Sequence, residues 1–372
     1  MIFGTLRTLG FRNLADAEVN TQGKDIFLVG ENGQGKTNFL EAVYVCSYAS
    51  SFRGVLDKEL VRDGEQQGAV AAHFAGSVES PGSADPQLYD QVLVTYEQHK
   101  KNVYLDGKPI EDRRDLLGVL PSIVFCHEDM EFVTGSPERR RWFFDQTLGL
   151  SDLSYLEDLR KYRRVLKTRN TLLKTGDDRI LSMLDALDPQ LAFYGLKLME
   201  KREEAAAGFS ALFGTLYGQV TGLDQLGLRY IPSWKAMSLE GISRFLEEYR
   251  ERDRSAGITL SGPHRDRYLF IRGPLEFAGK ASTGQRRLLA LLLRVAQARR
   301  FSTITGKYPV LLLDDVLLEL DHEKRRKFLG VLPEYEQAFF TFLPDEPYQR
   351  YRKSGALVYQ VSQGSLSLVF DS

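Results

Sequence analysis

The sequence is poor in cysteine, in long apolar runs and in any surplus of one charge. Cys46 and Cys126 are its only cysteines, they form no metal-spaced pair, and both lie in apolar surroundings. That excludes a disulfide framework and reads as two reduced core thiols of a cytosolic protein. Apolar runs such as Leu288 to Leu293 are far too short to span a bilayer. Met1-Ile2-Phe3-Gly4 has neither the basic start nor the apolar stretch of a signal peptide, so the expectation is a cytoplasmic protein with no membrane partner. Lys and Arg number 49 against 50 Asp and Glu, a net charge of −1. A nucleic-acid partner would therefore have to meet clustered bases rather than a generally basic surface. What remains is a globular composition, 43% hydrophobic and 27% charged, in 372 residues. That length is too great for one ordinary core and implies two domains.

Glycine, by contrast, is placed with purpose between Asp25 and Glu41. Ile26 to Val29 is a short run of strand formers, Gly30 to Gly35 a glycine-rich turn, and Phe39, Leu40 and Val43 then fall at helical spacing. Gly30, Gly35, Lys36 and Thr37 complete G-x-x-x-x-G-K-[ST], the phosphate-binding P-loop. Gly30, Gly33 and Gly35 let the backbone aim its N–H groups inward, and the positive end of the following helix adds to them. The candidate ATP-binding residues are thus Gly30, Glu31, Asn32, Gly33, Gln34, Gly35, Lys36, Thr37 and Asn38. Lys36 brings a point charge to the outer phosphates, and the Thr37 hydroxyl is placed to ligate Mg²⁺.

Taken in order, residues 1 to 29 alternate as a strand pair feeding the P-loop strand, with Arg12-Asn13 either a solvated turn or within reach of the nucleotide. Arg53, in a polar break after the P-loop helix, is either a surface arginine or a source of charge for the phosphates. Strands follow between Ala69 and Leu105, interrupted by the Pro/Ser/Gly loop Ser80 to Pro86, the likeliest floppy tip, and closed by a hairpin turn at Asp106-Gly107. Ser122 to Phe125 is another short strand. Ser136-Pro137 is a helix start, a cap followed by proline at the first helical position. From about 138 to 220 apolar residues step by three and four, for example Tyr155, Leu159, Tyr162, Leu166 and Leu173. Two antiparallel helices joined at Thr175 to Asp178 as a short coiled-coil-like hairpin fit this pattern. The first carries Arg160, Lys161, Arg163, Arg164, Lys167 and Arg169, either a solvated face or a row of DNA phosphate contacts.

Near the other end, Ser282, Thr283, Gly284 and Gln285 precede a strongly apolar helix, whose start is suited to phosphate or is simply well capped. Pro309 to Leu313 is a continuous apolar run that reads as a buried parallel strand. It ends in Asp314 and Asp315: the first stands where nucleotide-bound Mg²⁺ is held, and the second is able to polarise a water. Gln337 to Phe342 is a further buried strand, and the residues from Ala356 to Phe370 suggest a small edge hairpin.

These motifs are similar, in the same order along nearly the whole chain, to the RecF family of bacterial recombination mediators, relatives of the structural-maintenance-of-chromosomes ATPases. The resemblance is carried by Phe11-Arg12-Asn13-Leu14, the P-loop, Ser51-Phe52-Arg53, the stretch from Glu128-Asp129 to Arg141, Gly262-Pro263-His264-Arg265-Asp266, Ser282 to Arg287, and Leu311 to Asp321. It implies an α/β fold, an ABC-type P-loop ATPase head with mixed sheets, plus a helical lobe with the hairpin. Residues 1–120 and 275–372 would form the ATPase lobe. Residues 121–274 would form the helical lobe, with its hairpin at about 150–220, leading into the signature at 281–287. The cofactors implied are ATP and Mg²⁺. Lys36 would bind phosphate, Thr37 and Asp314 the metal, and Asp315 would be the catalytic carboxylate. Asp315 stands where the related ATPases often keep Glu, which fits slow, DNA-stimulated turnover. Ser282, Thr283, Gly284 and Gln285 would act in trans on the ATP of a second subunit. Arg53 and Thr341 are the candidate phosphate sensors.

The family implies an ATP-dependent homodimer on DNA gaps and single-strand junctions that works with RecO and RecR to load RecA, in replication restart and the SOS response. This chain departs from the family pattern at His127, at Arg267 and over residues 341 to 347, where only Thr341 remains of a threonine-rich segment. An ATPase subunit of another complex, such as a transporter, and a small-molecule P-loop kinase are the alternative readings. The kinase predicts no signature helix and no dimer.

Overall fold

A computed structural model of the chain describes residues 1–76, 90–97, 100–112, 114–175, 180–235, 238–318 and 320–369. The loop expected at Ser80 to Pro86 and most of the turn expected at Thr175 to Asp178 lie outside the described residues. The fold is the expected mixed α/β head with a helical lobe, and the chain divides into two compact units. The first comprises Met1–Glu128 and Ala298–Ser372, the second Asp129–Gln297.

The first unit holds two six-stranded sheets. One is antiparallel, in the order Ala17–Asn20, Ile2–Leu9, Gln67–Ala75, Gln91–Glu97, Lys100–Leu105, Lys108–Pro109. The other runs Ser365–Leu368, Leu357–Ser362, Asp25–Val29, Gln337–Phe342, Val310–Leu313, Ser122–Phe125, and is parallel except for its first pair. Helix Lys36–Tyr48 shares one core with both sheets: Phe39, Leu40 and Val43 pack with Ile26 and Leu28 of the second sheet and with Leu6, Val70 and Val92 of the first. Buried Gln337 ties the sheets together, accepting from the Phe3 N–H at 3.0 Å and donating to the Gly23 carbonyl at 3.0 Å. In the parallel sheet Leu28 is level with Thr341 and Leu313 with Phe340 and Phe125. Gly30, Asp314 and Thr341 therefore collect at the carboxyl ends of the strands, where open parallel sheets bind ligands.

The C-terminal pair is the expected hairpin at the edge of this parallel sheet. Leu357–Ser362 lies in parallel beside the P-loop strand, Val358 against Phe27, and only Ser365–Leu368 is at the edge. Val358 and Tyr359 are both buried, so the segment is interior rather than trimming.

The second unit is mainly helical. Helix Pro137–Ser151 begins as expected, with the Ser136 hydroxyl accepting from the Arg139 N–H at 3.4 Å. Helices Leu153–Thr175 and Ile180–Thr221 pack along Tyr155, Leu159, Tyr162, Leu191 and Leu198. A three-stranded antiparallel sheet, Leu275–Glu276, Arg267–Arg272 and Leu226–Ile231, adjoins the longer helix. Buried arginines organise its polar interior. Arg202 donates to Asp145 at 2.7 Å, to Asp266 at 2.9 Å and to the Pro263 carbonyl at 2.7 Å. Arg294 reaches Asp129 at 2.7 Å.

Candidate nucleotide site

The P-loop takes the backbone shape its glycines permit. Gly33 and Gly35 have φ of 78° and 114°, where a side chain would be strained. The Gly30 N–H donates to the Phe342 carbonyl at 3.1 Å, so the neighbouring strand anchors the entry of the loop. Lys36 is only 4% exposed, and its ammonium donates to the Gly30 carbonyl at 2.6 Å and the Glu31 carbonyl at 3.1 Å. The charge is thereby held along the inside of the loop.

At the start of helix Lys36–Tyr48, the Thr37 hydroxyl donates to Asp314 Oδ1 at 2.9 Å. These two residues are 277 positions apart in the chain, and the sheet brings them together. Asp315 sits at φ 51°, a left-handed conformation that Asp tolerates better than most residues. Thr341 fixes it there: the Asp315 N–H donates to Thr341 Oγ1 at 2.7 Å, and that hydroxyl donates back to Asp315 Oδ1 at 2.7 Å. Burial pushes the Asp314 carboxyl up to about 7, and the negative charge of Asp315 adds to this, while the bond from Thr37 opposes it. Glu128 contributes in the same sense as Asp315, and Arg53 relieves the crowding.

The arginines expected either on the surface or at the nucleotide are both drawn to the P-loop helix. Arg12, at φ 48°, donates to Glu41 through Nε at 2.8 Å and Nη2 at 3.2 Å. Arg53 donates to Asn38 Oδ1 at 3.1 Å and lies 3.9 Å from Glu41. The Ser51 hydroxyl also donates to Glu41, which is fully buried. Sequence reasoning passed over Glu41. Its signal was an acid within an otherwise apolar helix, which demands a cation when buried.

Ser282 to Gln285 belongs to the second unit. The Ser282 N–H donates to Gln285 Oε1 at 2.8 Å and the Gln285 N–H to Ser282 Oγ at 3.3 Å, a reciprocal cap at the start of helix Thr283–Thr305. Ser282, Thr283 and Gly284 remain exposed. In the basic row Arg160, Lys161, Arg163, Arg164 and Lys167 are exposed, Lys161 pairing with Glu157 at 3.1 Å and Arg163 with Asp145 at 3.3 Å. Arg169 does not belong to that row. It is fully buried, donating to Asp188 at 2.8 Å, Asp253 at 2.6 Å and Thr259 at 2.8 Å, and presents nothing to DNA.

Comparison with known proteins follows the same lines. The family model described as RecF/RecN/SMC N terminal domain matches residues 3–364. The chain belongs to that family. It is 40% identical over 364 residues to a DNA replication and repair protein RecF of Treponema pallidum (strain Nichols), covering 97% of this chain and 99% of the relative. A RecF of Staphylococcus aureus (strain JH9) is 32% identical over 379 residues, covering 98% of this chain and all of its own length. The structure is similar to that of the recombination mediator protein RecF with ATP in the RecFOR pathway, with a TM-score of 0.87 and 25% identity over 99% of this chain and 97% of that one. An Smc head domain from Pyrococcus furiosus, at 15% identity and a TM-score of 0.54 over 99% of this chain and 95% of that one, shares the fold. Among the described residues no helix is long and apolar enough to cross a membrane.

Proposed function

We propose that this chain is an ATP-dependent DNA-binding protein of recombinational repair, in which ATP draws two copies together around DNA. The observation that carries the nucleotide reading is the meeting of Thr37 Oγ1 and Asp314 Oδ1 at 2.9 Å beside the P-loop. A hydroxyl and a carboxylate are the hard oxygen donors that Mg²⁺ takes, with nucleotide phosphates completing its shell. Among the described residues no three His, Cys, Asp or Glu side chains converge as a metal cage, in keeping with a metal that arrives with nucleotide.

In this reading the amides of Gly30 to Asn38 cradle the phosphates, Lys36 neutralises the outer ones, and Thr37 and Asp314 hold Mg²⁺. Bound there, Mg²⁺ would neutralise charge on the β- and γ-phosphates. Asp315, oriented by Thr341, accepts a proton from the attacking water, and its short side chain keeps turnover slow. Arg53 and Thr341 register the outer phosphate. Ser282 to Gln285 caps the nucleotide of the second subunit with its exposed helix start. Arg160, Lys161, Arg163, Arg164 and Lys167 meet DNA phosphates at gaps and single-strand junctions. By likeness to the RecF relatives, the closed dimer works with RecO and RecR in loading RecA, in replication restart and in the SOS response.

Light scattering of the protein saturated with a non-hydrolysable ATP analogue, with and without gapped DNA, tests this. A nucleotide-dependent dimer with raised DNA affinity is expected. Ser282→Arg should bind nucleotide as a monomer yet fail to dimerise. A wild-type protein that stays monomeric when saturated, or gains no DNA affinity, overturns the reading.

A further inference from the structure

Two turns far apart in the chain close on the crown of the P-loop. The Asn13 amide donates through Nδ2 to the Gly33 carbonyl at 3.1 Å. The Gly364 N–H, in the turn between the last two strands, donates to the Gln34 carbonyl at 2.8 Å. The adjacent Gln363 N–H donates to Gln34 Oε1 at 2.7 Å. The two turns also grip each other, the Ala15 N–H donating to the Gly364 carbonyl at 2.9 Å. Only glycine fits at 364: its φ is +80°, and a Cβ there would stand 1.8 Å from the Asn13 carbonyl oxygen.

A trans peptide is planar, and its C=O and N–H point in opposite directions. Among the described residues no peptide is cis. Holding the Gly33 carbonyl outward therefore turns the Gln34 N–H to the other face, and holding the Gln34 carbonyl does the same for the Gly35 N–H. These are two of the donors that a phosphate cradle needs. Gly33 and Gly35 have the most permissive backbones in the loop, so these planes are the ones most in need of an outside restraint.

We propose that Asn13 and the Gln363–Gly364 turn are positioning elements of the phosphate site, fixing the direction of the Gln34 and Gly35 amides toward a polyphosphate. The inference rests on the P-loop reading above. Asn13 extends the restraint further: its Oδ1 accepts from Asn38 Nδ2 at 2.7 Å, and Asn38 in turn holds Arg53. A pre-aimed amide is a stronger phosphate donor than one that must reorient on binding.

The test uses the full-length chain with tripolyphosphate and ATP as probes, read by calorimetry and by the amide ¹H–¹⁵N shifts of Gln34 and Gly35. Asn13→Ala and Gly364→Ala are each expected to weaken both probes about tenfold. They should also shrink the shift change at the amide each one restrains, Gln34 for Asn13→Ala and Gly35 for Gly364→Ala. A role in folding alone would lower the melting temperature and leave the bound-state shifts of the folded fraction unchanged. Lys36→Ala separates the two levels. If it binds tripolyphosphate like the wild type, the P-loop reading fails and the positioning role with it. If it loses binding while Asn13→Ala and Gly364→Ala keep wild-type affinity and shifts, the positioning role alone is wrong. Should Gly364→Ala not fold, Asn13→Ala decides by itself.

Discussion

The helical second unit and the Asp314-Asp315 corner of the first treat carboxylates in opposite ways. In the second, Asp145 and Asp266 face Arg202, Asp188 and Asp253 face Arg169, and Asp129 faces Arg294. In the first, Asp314 and Asp315 sit side by side near Glu128, touched by the hydroxyls of Thr37 and Thr341, and neither forms an ion pair among the described residues. A matched buried pair is neutral and complete, and losing one member strands the other. A crowded pair of acids raises a proton affinity and lowers stability until a cation arrives. The buried acids of the second unit, like Glu41 in the first, are matched by arginine, whereas Asp314 and Asp315 meet only hydroxyls.

The comparison breaks most readily at Arg202. Arg202→Met should destabilise the protein by about 3–5 kcal/mol in denaturant unfolding, because Asp145 and Asp266 are left buried without a cation. A loss under 1 kcal/mol would show that the second unit's pairing is not structural. Next in size is Lys36→Ala, expected to weaken ATP about a hundredfold or more by calorimetry, with little change in the melting temperature of the unliganded chain.

The pH dependence sharpens the contrast. His264 donates through Nε2 to the Thr259 carbonyl at 2.9 Å, which leaves Nδ1 to accept from the Tyr162 hydroxyl at 2.8 Å. Burial pushes its pKa from the ordinary 6.5 down to about 4, and the arginines around it act in the same sense. An unfolded chain takes up that proton first. The stability contribution is therefore complete above about pH 6.5 and is lost as pH falls toward 4, on the order of 3 kcal/mol. His264→Gln should flatten that part of the stability curve, and an unchanged acid slope would assign it elsewhere. The smallest effect is a gain. Asp315→Asn should stabilise the unliganded protein by about 1 kcal/mol, through relief of repulsion with Asp314. The same change at Asp145 should destabilise it. Melting curves of the two variants side by side decide whether the units really differ in sign.

How much of this could be read beforehand follows from how far apart the partners stand. The P-loop and its helix were legible because glycine spacing and helical periodicity are local signals. The Asp314-Asp315 strand was legible because a wholly apolar run ending in acids has few other uses. Arg169 was misread as part of the basic row, although it falls in the apolar stripe of its helix, after Tyr162 and Leu166 and before Leu173. Its position argued for burial, but its partners lie 19 and 84 residues away and no local pattern announces them. The same distance hid the bond from Arg12 to Glu41 and the seat of Leu357–Ser362 beside the P-loop strand. A parallel neighbour more than 300 residues distant leaves no trace in the spacing of either segment.

That last strand has a bearing on how the molecule is made. Its place second from the edge of the second sheet means that the P-loop strand lacks one of its two neighbours until residues 357–362 have been made. The second unit, a continuous stretch of chain, has all its residues in hand much earlier. Long-range pairing is slow to find, so a newborn molecule passes through a period with a finished helical arm and an unfinished phosphate cradle. The contacts of Gln363 and Gly364 on the P-loop are therefore formed only after those residues have been made.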